Sequence, residues 1–168
     1  MLVKFDLLMS IEKILFVCTG NTARSPVAEY LARYHAKNHG IELEFQSAGF
    51  INAFSYMQPD SREYLDKKKI NHSDFIPQLI SPKLLENNDL IITMERSHKN
   101  DIIHSYSRIK NITEKTFTLK EFNGAEEDLD IIDPYYTNRN TYRKIMQLID
   151  NQVENLIIKI MKINKNSN

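Results

Sequence analysis

The chain has 168 residues, 42% apolar and 26% charged, ordinary proportions for a globular domain with a core of its own. Its 22 Lys and Arg balance its 22 Asp and Glu, so net charge gives no general reason to expect nucleic acid or a membrane surface as partner. The single cysteine, Cys18, excludes an internal disulfide and a cysteine-rich zinc site, and a free thiol suits a reducing compartment.

The first residues, MLVKFDLLMSIEK, lack a basic n-region and a small-residue cleavage site, and no run of 18 apolar residues follows. The expectation is a cytoplasmic protein. It divides into a variable extension over 1–10, one domain over 11–162 and a polar, frayed tail over 163–168. The continuous apolar run from Lys13 to Cys18 reads as a buried parallel strand. Pro26 suits the first turn of a helix, expected to reach about Asn38 and stop at Gly40. IELEF alternates, with Ile41, Leu43 and Phe45 inward, and predicts a second strand. Asp60 to Lys69 reads as a helix, and Ser81-Pro82 as the cap of a short one ending at Asn87. Asp89 to Met94 is a buried strand, followed by a helix through His98 to Tyr106. KTFTLKEF predicts a fourth strand, and the acidic GAEEDLDIIDPYY a long loop. From Asn140, Tyr142, Ile145, Leu148, Ile149, Val153, Leu156, Ile157 and Ile160 keep helical spacing in a long closing helix. Strands alternating with helices predict an α/β fold, a three-layer α-β-α arrangement around a four-stranded, mainly parallel sheet.

The chemistry concentrates between the first strand and the first helix. Backbone N–H groups of such a loop converge on one point, and the helix N-terminus adds its positive end there. Gly20 and Asn21 tolerate positive φ, which a concave loop demands. The loop through Thr19, Gly20, Asn21, Thr22, Ala23 and Ser25 is therefore expected to cradle a tetrahedral anion. Cys18 lies in the same field with Arg24 nearby, an environment that favours a thiolate aimed at phosphorus. Arg24 offers a planar fork for two phosphoryl oxygens.

CTGNTARSPVAE resembles the signature loop of the low-molecular-weight protein tyrosine phosphatases. QSAGF, DLIITMERSH and DPYY recur in that family's order, so the resemblance spans about residues 12 to 160. It implies a nucleophile at Cys18, a phosphate-binding Arg24 and a general acid at Asp133, which alone would read as the start of an Asp-Pro turn. Tyr135 and Tyr136 resemble the aromatic pair lining one wall of the family's cleft. Asn21, Ser25 and Ser47 resemble the polar network that supports its loop.

Four departures bear on function. Ala23 stands where many relatives carry a second, protective cysteine. With one cysteine the arsenate-reductase chemistry of this fold is excluded. SDFIPQL after His72 does not match the family's common His-x-Ala-Arg-Gln. Thr22 stands where most tyrosine phosphatases of the family have a branched aliphatic residue, and resembles its protein-arginine phosphatases. The favoured expectation is a phosphotyrosine protein phosphatase working through a cysteinyl-phosphate. The alternatives are a protein-arginine phosphatase using the same site, and a catalytically silent phosphate-binding module. No cofactor or metal is implied, and His35 and His39 lack a third ligand. The expected partners are phosphorylated protein substrates, not nucleic acid or membrane, and the protein itself is expected to be a monomer or weak dimer.

Overall fold

The computed structural model describes residues 9–167. The expectation for the N-terminal extension therefore lies largely outside the described residues. Elements run β1 (Lys13–Cys18), α1 (Arg24–Asn38), β2 (Glu44–Gly49), α2 (Pro59–Lys67), α3 (Pro82–Asn87), β3 (Leu90–Thr93), α4 (Arg96–Ser105), β4 (Thr116–Thr118), α5 (Leu119–Phe122) and α6 (Arg139–Asn166). The strands form one sheet in the order β2-β1-β3-β4, and every pairing is parallel.

Alternation within β1 separates the two helical layers. Ile14, Phe16 and Cys18 face one core, shared with Val27 and Leu31 of α1 and Ile149, Val153 and Ile157 of α6. Leu15 and Val17 face the other, with Ile91 of β3, Leu85 of α3 and Ile102 of α4. A strand buried on both faces has to read as a continuous apolar run. The chain leaves β1 toward β2 on one side and returns to β3 on the other, so the carboxyl end of β1 is the topological switch point of the sheet. That is where open α/β sheets bind ligands.

Three expectations shift. The second strand is Glu44–Gly49, not Ile41–Phe45, because parallel pairing from Lys13↔Glu44 to Cys18↔Gly49 fixes its register. Ile41 and Leu43 still pack on the core, just before the strand. The fourth strand is only Thr116–Thr118, and the rest of KTFTLKEF turns into α5. A capping box causes this: Thr118 Oγ1 accepts from Glu121 N, and Glu121 Oε2 accepts from Thr118 N, both at 3.1 Å. The tail expected to fray is helical through Asn166. Asn164 clamps the start of the described chain there, accepting from Ile11 N at 2.8 Å and donating to Ile11 O at 2.9 Å.

Candidate active site

The loop after β1 is built around a left-handed residue. Asn21 takes φ 53°, a conformation asparagine tolerates better than most residues. Gly20 was expected to share that role but has no positive φ; it is small because a Cβ there would lie 2.8 Å from the Ala53 Cβ. Gly49, at the end of β2, presses on the loop from beneath. Phe50 N and Ile51 N donate to Thr19 O at 2.7 and 3.1 Å.

Cys18 is buried, and its Sγ lies 2.9 Å from Ser25 Oγ. Ser25 Oγ also accepts from Asn21 Nδ2 at 2.9 Å. Ala23 is the N-cap of α1 and offers no side-chain acceptor to the helix's first N–H groups. Thr22 is buried, its main-chain carbonyl fixed by Gln58 N at 2.8 Å.

Ser47 does not reach the loop as expected. Its hydroxyl donates to Glu29 Oε2 of α1. The loop's brace is Gln78, whose N–H donates to Asn21 Oδ1 at 3.0 Å and whose Nε2 donates to the Ser47 carbonyl at 2.9 Å. Gln78 gave no signal on its own, since a glutamine in a non-periodic stretch reads as surface.

Arg24 is 1% exposed. Its Nη1 is committed to Glu95 and, at 2.7 Å, to the Ile131 carbonyl. Its Nη2 has only a long contact to Thr19 Oγ1 at 3.4 Å, and its Nε has no partner at all. A buried guanidinium N–H left unpaired costs free energy unless a ligand completes it. The Nε–Nη2 edge is the one shaped for bidentate contact with a tetrahedral oxyanion. Asp133 is half exposed, with Oδ2 3.6 Å from Arg24 Nη2, and its Oδ1 accepts from Tyr135 N at 3.0 Å. The loop carrying it is tied to the end of β3 by Ile131 N donating to Met94 O at 2.8 Å.

Sequence reasoning missed Glu95 and undervalued His98. Glu95 caps the start of α4 and supplies the counter-charge to Arg24. His98 Nε2 lies 3.0 Å from Thr19 Oγ1. Burial, then the adjacent Arg24 charge, push its imidazole below the ordinary value, toward the neutral form. Phe54 and Tyr56 were also missed. Phe54 lies 5.5 Å from the Tyr135 ring and 5.6 Å from Tyr56. Tyr136 rests edge-on against Tyr135 at 4.6 Å and is otherwise 94% exposed, so Tyr135, not Tyr136, faces the other aromatic rings.

His35 is a structural residue, 2.7 Å from Asp150 of α6, and no cluster of metal-ligating side chains exists among the described residues.

The family model described as low molecular weight phosphotyrosine protein phosphatase matches residues 13–168. The chain belongs to this family. Members of it are cysteine-dependent hydrolases of phosphoric monoesters. A protein-arginine-phosphatase of Bacillus subtilis is 32% identical over 89% of this chain and 97% of its own length. A low molecular weight protein-tyrosine-phosphatase of Staphylococcus epidermidis is 30% identical, over 89% and 94%. A low molecular weight protein tyrosine phosphatase of T. tengcongensis is 33% identical, covers 88% of this chain and 99% of its own, and superposes with a TM-score of 0.78.

Proposed function

We propose that this phosphatase hydrolyses phosphotyrosine in protein substrates, with Cys18 as nucleophile, Arg24 as phosphate ligand and Asp133 as general acid and base. The observation that carries the reading is the unpaired Nε of buried Arg24 beside the loop that opens at Cys18. A phosphoryl dianion completes that donor and the loop's N–H groups together. The Cys18 thiolate attacks phosphorus and forms the S–P bond. The P–O bond to the tyrosine breaks, and Asp133 gives its proton to the departing phenolate oxygen. A water then attacks phosphorus while the Asp133 carboxylate takes its proton. The S–P bond breaks, and thiolate and inorganic phosphate are released. Ser25, within hydrogen-bond distance of the sulfur, stabilises the thiolate as it leaves.

Phe54 and Tyr135 support a phenyl substrate, since aromatic rings prefer edge and offset contact with one another. A second reading, phosphoarginine, is supported by Thr22 and by the arginine-phosphatase name of one relative. A free nucleophilic thiol suits a reducing compartment, so the proposed location is the cytoplasm.

The deciding assay compares turnover of phosphotyrosine and phosphoarginine peptides by wild type and Cys18→Ser. The variant is expected to bind vanadate without turning over either peptide. Turnover surviving at more than a few per cent removes Cys18 as nucleophile. Wild-type protein that binds vanadate but turns over neither peptide nor p-nitrophenyl phosphate in EDTA is a silent binding module instead.

A further inference from the structure

The loop at Cys18 is tied to a buried carboxylate that the hydrolytic scheme does not use. Glu29, in the second turn of α1, is 7% exposed. Its Oε2 accepts from Ser47 Oγ and its Oε1 from Arg33 Nη2, each at 2.5 Å. Arg33 Nη2 also donates to the Phe45 carbonyl at 3.2 Å, so one guanidinium spans α1 and β2. The guanidinium is fixed from another side by the Tyr30 ring, 4.9 Å away. From Ser47 the connection runs through its carbonyl to Gln78, from Gln78 N to Asn21 Oδ1, from Asn21 Nδ2 to Ser25 Oγ, and so to Cys18 Sγ. Each link is a hydrogen bond of 3.0 Å or less. A cavity of roughly 230 Å³ opens beside this chain, lined by Glu29, Arg33, Ser47, Asp74 and Gln78 among others, and gives it access to protons.

We propose that Arg33 is a positioning residue for the phosphatase reaction: by holding the Glu29 carboxylate against Ser47, it fixes the backbone from which Gln78 and Asn21 shape the Cys18 loop. The proposal rests on the reading of Cys18 as nucleophile. The charged groups facing Glu29 are Arg33 on its own helix and Asp74 on the segment between α2 and α3. Burial pushes the Glu29 carboxyl above its ordinary value, and Asp74 adds to that. The Ser47 hydrogen bond and the Arg33 charge oppose it. Without Arg33 the opposition falls to Ser47 alone, and Glu29 takes up its proton at higher pH. A protonated Glu29 no longer carries the charge that strengthens its hydrogen bonds from Ser47 and Arg33, so the tie to β2 slackens as pH falls.

Arg33→Gln is expected to lower kcat on p-nitrophenyl phosphate about fivefold near neutral pH, and to move the acid limb of the kcat profile to higher pH. Arg33→Lys restores most of the loss, because an ammonium still supplies the charge. In a Glu29→Gln background, Arg33→Gln adds nothing, since it acts through a group that no longer titrates. The alkylation rate of Cys18, the only cysteine, followed against pH, reads the same loop without turnover. Arg33→Gln is expected to shift that curve too. Additive losses in the double variant, or an acid limb and an alkylation curve that match wild type, overturn the proposal. Failure of the nucleophile reading is distinct: it shows as turnover surviving in Cys18→Ser, whatever the alkylation curve does.

Discussion

Gly49→Ala tests how tightly the phosphate loop is seated. A Cβ at Gly49 would meet Asn21 N at 2.7 Å, the Gly20 carbonyl carbon at 2.8 Å and Thr19 O at 2.9 Å. All three are backbone atoms of the loop, so no side chain can swing aside. Ordinary contact begins at 3.4 Å, so the nearest atom must retreat by about 0.7 Å (3.4 minus 2.7). Overpacking of this kind costs about 1–3 kcal/mol, or roughly 3–9 °C in melting temperature for a chain of this length. The catalytic cost is larger. Misplacing reacting groups by about 1 Å lowers rates on the order of a hundredfold, so kcat/KM for p-nitrophenyl phosphate is expected to fall about ten- to a hundredfold. Vanadate affinity falls with it, because the same N–H groups hold the anion. Activity within about twofold of wild type, with an unchanged melting temperature, would refute the claim that Gly49 sets the loop's position.

Asp133→Asn should slow phenyl phosphate on the order of a hundredfold and p-nitrophenyl phosphate much less, since only the poorer leaving group needs the proton; equal losses across a leaving-group series remove Asp133 as general acid. Thr22→Ile adds a few tens of Å2 of apolar surface beside the substrate, about 1 kcal/mol at roughly 25 cal/mol per Å2, and the ratio of kcat/KM for phosphotyrosine over phosphoarginine should rise several-fold; an unchanged ratio means Thr22 does not read the substrate. Asp150 provides a pH test of the α1–α6 contact. Burial raises its carboxyl, but hydrogen bonds from His35, Lys68 and Tyr64 outweigh burial and hold it at about 2, against an ordinary 3.8. Since the folded value is the lower one, the stabilisation is complete above about pH 4 and is lost as pH falls toward 2. Its size is roughly 2 kcal/mol, and urea midpoints measured from pH 6 to pH 2 should fall less steeply in Asp150→Asn than in wild type.

The parts of this fold that sequence made legible are those dictated by one strong local signal. β1 and β3 read as strands because both of their faces are buried beyond the exposed Lys13, which leaves apolar residues at every position except Lys13 and the terminal Thr93. α1 ended where Gly40 takes φ 68°, a conformation glycine adopts freely. The capping box Thr118-Leu-Lys-Glu121 was equally local and was passed over, because the β-branched and aromatic residues around it favour a strand. The register of β2 was not local at all. It depends on which residue of β1 each position pairs with, and Ile41 and Leu43 alternate just as well outside the strand as within it. The site divides in the same way. Cys18, Arg24 and Ser25 come from eight consecutive residues, whereas Glu95, His98, Gln78 and Phe54 are brought to them by the sheet's crossovers. Only an ion pair, a hydrogen bond or a ring contact made in three dimensions distinguishes those four from surface residues.

Arg24 makes that non-local half of the site indispensable. A guanidinium that is 1% exposed needs a counter-charge, and nothing within the loop supplies one. Glu95 does so from the end of β3, and the Ile131 carbonyl takes the second hydrogen bond on the same nitrogen, which fixes the plane of the fork. Neutralising Arg24 completely would abolish its attraction for phosphate, and this arrangement avoids that. Glu95 and Ile131 occupy Nη1 alone, and Asp133 stands 3.6 Å from Nη2, beyond hydrogen-bond range. Asp133 is also on the half-exposed side, so its attraction to Arg24 is screened and easily exchanged for that of a dianion. A bound phosphoryl group on the Nε–Nη2 edge would displace the carboxylate from the cation without moving the arginine. Released from Arg24, the carboxyl group is free to approach the leaving-group oxygen, the position a proton donor to that oxygen requires.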